Sequence, residues 1–130
     1  MNIKKGFTLL EMLVVIGIIA VLVGIVTSSY STAQKKARDA KRQGDLKAAQ
    51  QIMEQCYSVN TTSYQYPIIS NTGGTLTPAA CPGNASLTFS ITDPLNTGTY
   101  VYTIASTTST YTLTADLETS ATNFTVSNQQ

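Results

Sequence analysis

A run of twenty residues near the N-terminus, FTLLEMLVVIGIIAVLVGIV, limits what this chain can fold into more than any other feature. It spans residues 7–26 and carries one charged side chain, Glu11. Twenty residues of α-helix measure about 30 Å, which is the thickness of the hydrocarbon layer of a bilayer. A carboxylate in such a segment costs about 2.5–3.5 kcal/mol near the centre and less towards an end. The sequence therefore predicts a membrane-spanning helix in which Glu11 needs an explanation.

The distribution of charge argues against several function classes. The whole chain has a net charge of +1, but the charges are unevenly distributed. All 8 basic residues lie at or before Lys47, and every charged side chain after Lys47 is a carboxylate. An acidic C-terminal region is a poor surface for phosphate backbones, so we do not expect direct nucleic-acid binding by it. The chain has no histidine, which removes imidazole catalysis and the commonest transition-metal ligand. No nucleophile–base pair or phosphate loop is visible, so we predict no enzyme and no cofactor.

Three acidic residues, Asp93, Asp116 and Glu118, lie in the C-terminal region where a calcium site is conceivable. Acidic residues also cap turns and keep loops solvated. We interpret these three as turn-capping and solvated residues, and we predict no metal site.

The helical pattern continues to about Val59, with a different character after residue 26. Lys35 with Asp39 and Lys41 with Asp45 are spaced as i,i+4 ion pairs. The apolar residues recur at steps of three and four, which predicts one buried stripe: Leu46, Ala49, Ile52, Met53, Cys56 and Tyr57. We therefore predict one helix from Phe7 to Val59, whose second half covers a sheet.

Beyond Ser58 the sequence is rich in Thr, Ser and Asn, and its apolar residues alternate with polar ones. The alternation predicts four short strands, at residues 87–92, 100–105, 110–117 and around 124–126. Turn sequences such as DPLNTG and STTS separate them, which favours antiparallel pairing. The predicted fold class is α+β, a long N-terminal helix packed on a small antiparallel sheet of about four strands.

The opening residues KKGFTLLE resemble the prepilin leader of type IV pilins and type II secretion pseudopilins. The stretches ARDAKRQGDLKAAQQIMEQCY, DPLN and YTLTADLE also resemble small major pilins and pseudopilins, less closely after residue 57. The resemblance implies cleavage after Gly6 by a prepilin peptidase, an N-methylated Phe7 as the new N-terminus, and Glu11 as the assembly residue. The positive amine of Phe7 can then pair with Glu11 of a neighbouring subunit, which relieves the cost of the buried carboxylate.

The same resemblance implies the pilin fold and a division of the chain into four parts. These are a leader (1–6), a transmembrane and assembly segment (7–26), an amphipathic helical segment (27–59) and an exported β head (60–130). It implies a structural subunit that self-assembles into a helical homopolymer, a type IV pilus used for adhesion, twitching motility or DNA uptake. The implied partners are the prepilin peptidase, membrane lipid before assembly, and an inner-membrane assembly platform with its ATPase. The precursor is expected in the inner membrane and the filament outside the cell.

Several alternatives remain open from the sequence. The chain can be a major pseudopilin of a type II secretion system, or, more remotely, a monomeric membrane-anchored binding module. The apolar run can also be an ordinary anchor, or a secretory signal cleaved near the STA at residues 31–33. Charge counting places the head in the cytoplasm, because more basic residues follow the span than precede it. The leader motif predicts the opposite orientation, and we follow the motif.

Two departures from the family pattern concern cysteine and glycine. Cys56 and Cys81 are the only cysteines; in an exported head they can form a disulfide worth about 3 kcal/mol, with two unpaired thiols as the alternative. Many pilins instead enclose a C-terminal loop with their disulfide. The apolar helix also lacks the proline that many major pilins carry, which leaves Gly17 and Gly24 as possible weak points. Close packing between membrane helices explains these glycines equally well.

Overall fold

The computed structural model describes residues 6–130, so the predicted leader lies outside the described residues except for Gly6. The chain divides into two compact units, one that ends at Lys35 and one of residues Lys36–Gln130. Helix α1 begins at Leu9 and ends at Val59. It therefore starts two residues later than predicted and ends where predicted.

In the first unit, α1 presents apolar side chains on every side. Every side chain from Phe7 to Val26 is exposed. Among the described residues, α1 is the helix that is long and apolar enough to cross a membrane, and its most apolar window has a mean hydropathy of 3.0. An apolar surface on all sides of a helix suits hydrocarbon or the interior of a helix bundle rather than water.

In the second unit, α1 ends because the chain turns away at residues 60–64. The N–H of Asn60 still donates to the carbonyl of Cys56 at 3.0 Å. Tyr64 then adopts a φ of 48°, in the left-handed region, which a right-handed helix cannot contain. The Asn60 side chain supports the turn by donating to the carbonyl of Gln65 at 3.1 Å and by accepting from Ser63 Oγ at 3.2 Å.

The head contains two antiparallel sheets of three strands each instead of the single sheet of about four strands that we predicted. The sheet orders are β1-β2-β3 and β4-β5-β6. In chain order the strands are β1 (Ile69–Thr72), β2 (Thr75–Pro78), β3 (Ile91–Thr92), β4 (Thr103–Ser106), β5 (Tyr111–Ala115) and β6 (Phe124–Ser127). The α+β class and the antiparallel pairing are confirmed, and the number of strands and sheets is corrected.

The strands that sequence reasoning missed form the β1–β2 hairpin. Its turn is Gly73-Gly74, with φ values of 60° and 82°, and Asn71 Oδ1 accepts the N–H of Gly74 at 3.0 Å. Such a glycine pair is a hairpin signal, because both turn residues need positive φ. The flanking residues are mostly polar, since β1 is exposed at three of its four positions. The alternation that usually reveals a strand is therefore absent.

Of the predicted strand at 87–92, only Ile91–Thr92 forms a ladder, with Thr75 and Leu76 of β2. Phe89 is nevertheless buried, so its apolar pattern reflects core packing rather than strand pairing. The predicted strand at 100–105 is displaced to β4, because residues 97–100 form a turn closed by the pairing of Thr97 with Tyr100. The strands at β5 and β6 lie where the alternation predicted them.

The two sheets meet at β1 and β4, where side chains supply part of the hydrogen bonding. The N–H of Tyr66 donates to the carbonyl of Thr108 at 2.9 Å, ahead of β1. The N–H of Ile69 donates to Ser106 Oγ at 3.3 Å. Further along, the amide of Asn71 donates to the carbonyl of Tyr102 at 3.0 Å. The seam is thus closed without a regular ladder.

The head core lies between the second half of α1 and the inner faces of both sheets. Within the predicted helix stripe, Leu46, Ala49, Met53 and Cys56 are buried. β5 follows its predicted alternation, with its outer residues partly exposed and its inner residues buried. The core cluster consists of Leu46, Ala49, Met53, Tyr66, Ile69, Leu76, Phe89, Tyr102, Tyr111, Leu113, Ala115 and Val126.

Candidate assembly segment and head cluster

The N-terminus of α1 is closed by a reciprocal pair of hydrogen bonds between Thr8 and Glu11. The N–H of Glu11 donates to Thr8 Oγ1 at 3.2 Å, and the N–H of Thr8 donates to Glu11 Oε2 at 3.4 Å. This is a capping box, in which the residue before the helix and the third helical residue satisfy each other's backbone donors. The structure therefore gives Glu11 a local role in starting the helix, in addition to the assembly role that the resemblance implies.

The capping box was visible in the sequence, although our sequence reading did not use it. Thr8-Leu-Leu-Glu11 matches the pattern of Ser or Thr followed three residues later by Glu or Gln. The carboxylate lies near the positive end of the helix dipole, where a negative charge is favourable. The free-energy cost of this carboxylate in the apolar segment is therefore lower than the sequence alone suggests.

Gly17 and Gly24, the predicted weak points, lie within continuous α-helix in this structure. A methyl group added at either position would meet no described atom within 4 Å. Thr27 Oγ1 donates to the carbonyl of Gly24 at 3.0 Å, which adds a second donor to a backbone acceptor of the helix. Both glycines are exposed and leave shallow notches in the apolar surface.

In the head, α1 is tied to two distant loops by a group of ionised side chains that we call the Arg42 cluster: Arg38, Asp39, Arg42, Asp93 and Glu118. The Arg42 side chain is 0% exposed. Its Nε and Nη2 donate to the two carboxylate oxygens of Asp93 at 2.6 and 3.0 Å. Its Nη1 donates to Asp39 at 2.7 Å and to Glu118 at 2.8 Å. One guanidinium thus holds three carboxylates.

The rest of the cluster completes the coordination of these carboxylates. Arg38 Nε donates to Glu118 Oε1 at 2.7 Å. Asp39 also accepts the backbone N–H groups of Glu118 and Thr119, both at 2.9 Å, and the Thr119 hydroxyl at 2.7 Å. Asp93 accepts the N–H of Leu95 at 2.8 Å. The loops after β3 and after β5 are therefore both fastened to α1.

The cluster keeps its carboxylates ionised. Hydrogen bonds from Arg38, and then from Arg42, lower the pKa of Glu118 to about 2, although burial opposes the shift. Burial raises the pKa of Asp93, but the hydrogen bonds from Arg42 and the backbone outweigh it and lower that pKa. Burial also raises the pKa of Asp39, but the hydrogen bonds from residues 118 and 119 outweigh burial and lower that pKa.

Two of the three acidic residues considered as calcium ligands, Asp93 and Glu118, are thus ion-paired with Arg42. Asp116 lies outside the cluster and is partly exposed. Among residues 6–130, no group of three or more acidic or cysteine side chains could hold a metal ion. Our interpretation of these residues as solvated is wrong for Asp93 and Glu118, whose side chains are 1% and 6% exposed, although Asp93 also caps a turn by accepting the Leu95 N–H.

Sequence reasoning missed the Arg42 cluster because its members are far apart in the chain. Asp93 and Glu118 lie 51 and 76 residues from Arg42. The expected local pairs are replaced by other partners, since Asp39 accepts from Arg42 and Asp45 accepts the Tyr102 hydroxyl at 2.9 Å. The one available signal was Arg42 itself, which lies four residues before Leu46 on the buried stripe.

Cys56 and Cys81 are joined by a disulfide, with an S–S distance of 2.01 Å and a Cα–Cα distance of 5.7 Å. Both residues are buried. The bond connects the last turns of α1 to the loop after β2. It therefore closes the segment that contains the β1–β2 hairpin.

Glu54 forms a second polar contact between α1 and the head. Its carboxylate accepts the Tyr66 hydroxyl at 2.9 Å, the Tyr111 hydroxyl at 2.8 Å and the N–H of Gln129 at 3.1 Å. Burial, and then the bond to Glu54, raises the pKa of Tyr66 and of Tyr111. These tyrosines stay protonated and act as donors that fasten the helix to β5 and to the segment before β1, while the Gln129 N–H fastens it to the C-terminal residues.

Comparisons with known proteins agree with this architecture. Residues 1–27 match the prokaryotic N-terminal methylation motif. The chain is 34% identical over 87 residues to the type IV wide pilus major component PilA4 of Thermus thermophilus, across 67% of this chain and 63% of that protein. The match thus spans less than two thirds of the relative. No solved structure shows a significant match.

The motif match covers the capped start of α1 and the exposed apolar surface that follows it. The longer match covers more of the chain than the motif alone, and a β head packed on the second half of α1 agrees with it. On these grounds the chain carries the prokaryotic N-terminal methylation motif and is similar to a type IV pilus major component.

Proposed function

We propose that this protein is a structural subunit that polymerises into a type IV pilus filament. The observation that carries the proposal is the first unit of the structure, a helix that is apolar on all sides and bears one carboxylate in its first turn. Such a helix is stable in a bilayer or among copies of itself. The relative from Thermus thermophilus, a pilus major component, supports the second environment as the final one.

The proposed sequence of events follows the order of residues along the chain. A prepilin peptidase cleaves after Gly6, and the new amine of Phe7 is methylated. Residues 7–26 hold the precursor in the inner membrane, residues 27–59 connect it to the head, and residues 60–130 form the exported head. An assembly platform with an ATPase then moves the apolar helices from lipid into the core of an extracellular filament.

In this scheme Glu11 acts twice. In the monomer its carboxylate accepts the Thr8 N–H as part of the capping box. In the filament it neutralises the Phe7 amine of a neighbouring subunit and so sets the axial register of the helices. Removing one partner of a buried ion pair costs about 3–5 kcal/mol, and every subunit repeats that cost.

The capping box allows the two roles of Glu11 to be separated by substitution. Glutamine can serve in a capping box as glutamate does, whereas alanine cannot. We expect Glu11→Gln and Glu11→Ala both to leave processed subunits in the membrane without filaments, because both remove the charge. Thr8→Ala is the matched control; it removes the cap and keeps the charge, so its filaments should form. The readout is the amount of subunit in sheared surface fractions, compared with the membrane fraction.

Two results would contradict the proposal. Filaments of Glu11→Gln at normal yield, with none from Glu11→Ala, would mean that Glu11 matters as a cap and not as a charge. Wild-type subunit that never leaves the cell in sheared fractions would favour a short periplasmic pseudopilus instead of a surface pilus.

A further inference from the structure

The residues that follow the apolar segment change character in a fixed order. The last residue of the apolar run is Val26, and Tyr30, which is 63% exposed, comes four residues later. Lys35 follows nine residues after Val26, also exposed. Apolar residues, then an aromatic residue, then lysine is the order in which a bilayer offers hydrocarbon, interface and charged headgroups.

Helix geometry places Lys35 within reach of the headgroups. Nine residues correspond to about 14 Å of helix, while each headgroup layer is about 5–8 Å thick. Side chains on a helix tilt towards its N-terminus, which here means towards the membrane, and the aliphatic stem of lysine lets its ammonium group extend. The length of helix between the outer edge of the headgroup layer and Lys35, about 6–9 Å, is comparable to the screening length of about 8 Å at physiological salt.

The exposed lysines in this part of the chain are free of internal partners. Within residues 6–130, Lys35, Lys36 and Lys41 make no hydrogen bond, ion pair or ring contact. The two arginines nearby differ, because both are paired in the Arg42 cluster. The lysines therefore carry charge that is available to an external anion.

A second copy of the chain offers few anions to these lysines. Of the carboxylates in residues 36–130, all but Asp116 accept hydrogen bonds within the head, namely Asp39, Asp45, Glu54, Asp93 and Glu118. Lys36 and Lys41 are five residues apart, so they point about 140° apart around the helix. Lipid headgroups surround a helix at the membrane surface and can therefore reach lysines on different sides of it.

We infer that Lys35 and Lys36 bind the phosphate groups of anionic lipids around the membrane-inserted precursor. This inference rests on the proposed function, because it requires residues 7–26 to span the bilayer. The lysines anchor the subunit at a defined depth by attracting an anionic shell of lipid, and assembly must release that shell. Lys41, six residues further along, contributes less because it lies further from the span in sequence.

The experiment measures lipid selectivity of the full chain in vesicles. The protein is reconstituted in phosphatidylcholine alone and in an equimolar mixture with phosphatidylglycerol, and flotation with both vesicle types first verifies the anchor. Spin-labelled phosphatidylglycerol and phosphatidylcholine then report which lipid is enriched next to the protein. Lys4 and Lys5 are present in every variant, so differences between variants isolate the later lysines.

We expect phosphatidylglycerol to be enriched over phosphatidylcholine next to the wild-type protein. The double variant Lys35→Gln, Lys36→Gln should reduce this preference by up to about fivefold for each lysine replaced. The paired arginine replacements should restore it, because they keep the charge. Lys47→Gln is the matched control and should leave it unchanged, since Lys47 lies over the Phe124 ring at 5.8 Å. At about 1 M salt, where the screening length is about 3 Å, the wild-type preference should largely disappear.

Three outcomes overturn the inference. A protein that floats with both vesicle types but shows no preference for phosphatidylglycerol contradicts it. So does a preference that is as strong in the double glutamine variant as in wild type. Failure to float with either vesicle type removes the membrane anchor itself, and with it both the proposed precursor and this inference.

Discussion

Replacement of Arg42 by methionine tests whether the Arg42 cluster holds the head together. In this variant Asp39 still accepts three hydrogen bonds from residues 118 and 119, and Glu118 still accepts a hydrogen bond from Arg38. Asp93 loses both of its guanidinium bonds, and its side chain is only 1% exposed. Leaving a buried charge without its partner costs about 3–5 kcal/mol. We expect Arg42→Met to lower the free energy of unfolding of the head by that amount.

Matched variants separate charge from packing. Arg42→Lys keeps a positive charge but cannot engage both oxygens of Asp93 in a fork, so its loss should be smaller than that of Arg42→Met. Arg42→Met combined with Asp93→Asn removes the unpaired charge, and asparagine can still accept the Leu95 N–H. The double variant should therefore be more stable than Arg42→Met alone. Arg38→Met, at a position whose side chain is 27% exposed, should have the mildest effect.

The assay is thermal unfolding of the full chain in detergent, followed by near-ultraviolet circular dichroism. The chain has 7 tyrosines and no tryptophan, and Tyr102 and Tyr111 are buried in the head, so the signal reports the head and not the apolar helix. A loss of 3 kcal/mol in a domain of this size lowers Tm by at least about 12 °C. A decrease in Tm of less than about 4 °C for Arg42→Met, corresponding to about 1 kcal/mol, would refute the reasoning.

Three further predictions concern acid, the disulfide and processing. The pKa values of Asp39, Asp93 and Glu118 are lowered in the fold, so their contribution to stability is complete above the unfolded-state pKa of about 4 and is lost as pH falls towards about 2, the pKa of folded Glu118. In acid titrations, the Tm of Arg42→Met should therefore fall less steeply with pH than the Tm of wild type. Equal slopes for the two proteins would contradict this. Reductant should lower the free energy of unfolding of wild type by about 3 kcal/mol and should not change that of the Cys56→Ala, Cys81→Ala double variant. If both thiols can be alkylated in native, unreduced protein, the disulfide does not form in the cell. Intact-mass analysis of membrane or filament material should give a chain that begins at Phe7 with an added methyl group, and a mature start at Gln34 would indicate a conventional secretory signal.

Local patterns in the sequence were sufficient for the helix and for part of the sheet. The stripe that includes Leu46, Ala49 and Met53 is buried as the spacing predicted. β5 lies where the alternation of Tyr111, Leu113 and Ala115 placed it. Both patterns are strong because one face of the element meets the core and the other does not. The capping box at Thr8 and Glu11 is equally local and was available in the sequence.

Other features had no local signal. β1 is largely exposed, so its sequence carries no alternation, and it is a strand because the Gly73-Gly74 turn pairs it with β2. Phe89 has the alternation of a strand residue but is buried outside any ladder. In both cases the position of neighbouring elements overrides the local pattern.

The sequence by itself determined that this chain has an apolar, membrane-length helix with a lone carboxylate near its start, and that its fold class is α+β. The reason is that hydrophobic periodicity and segment length act along the chain and can be read one segment at a time. Only the tertiary structure decided that Arg42 is buried among three carboxylates. Its main partner, Asp93, lies 51 residues away, and a buried charge is tolerated only where folding brings such partners together.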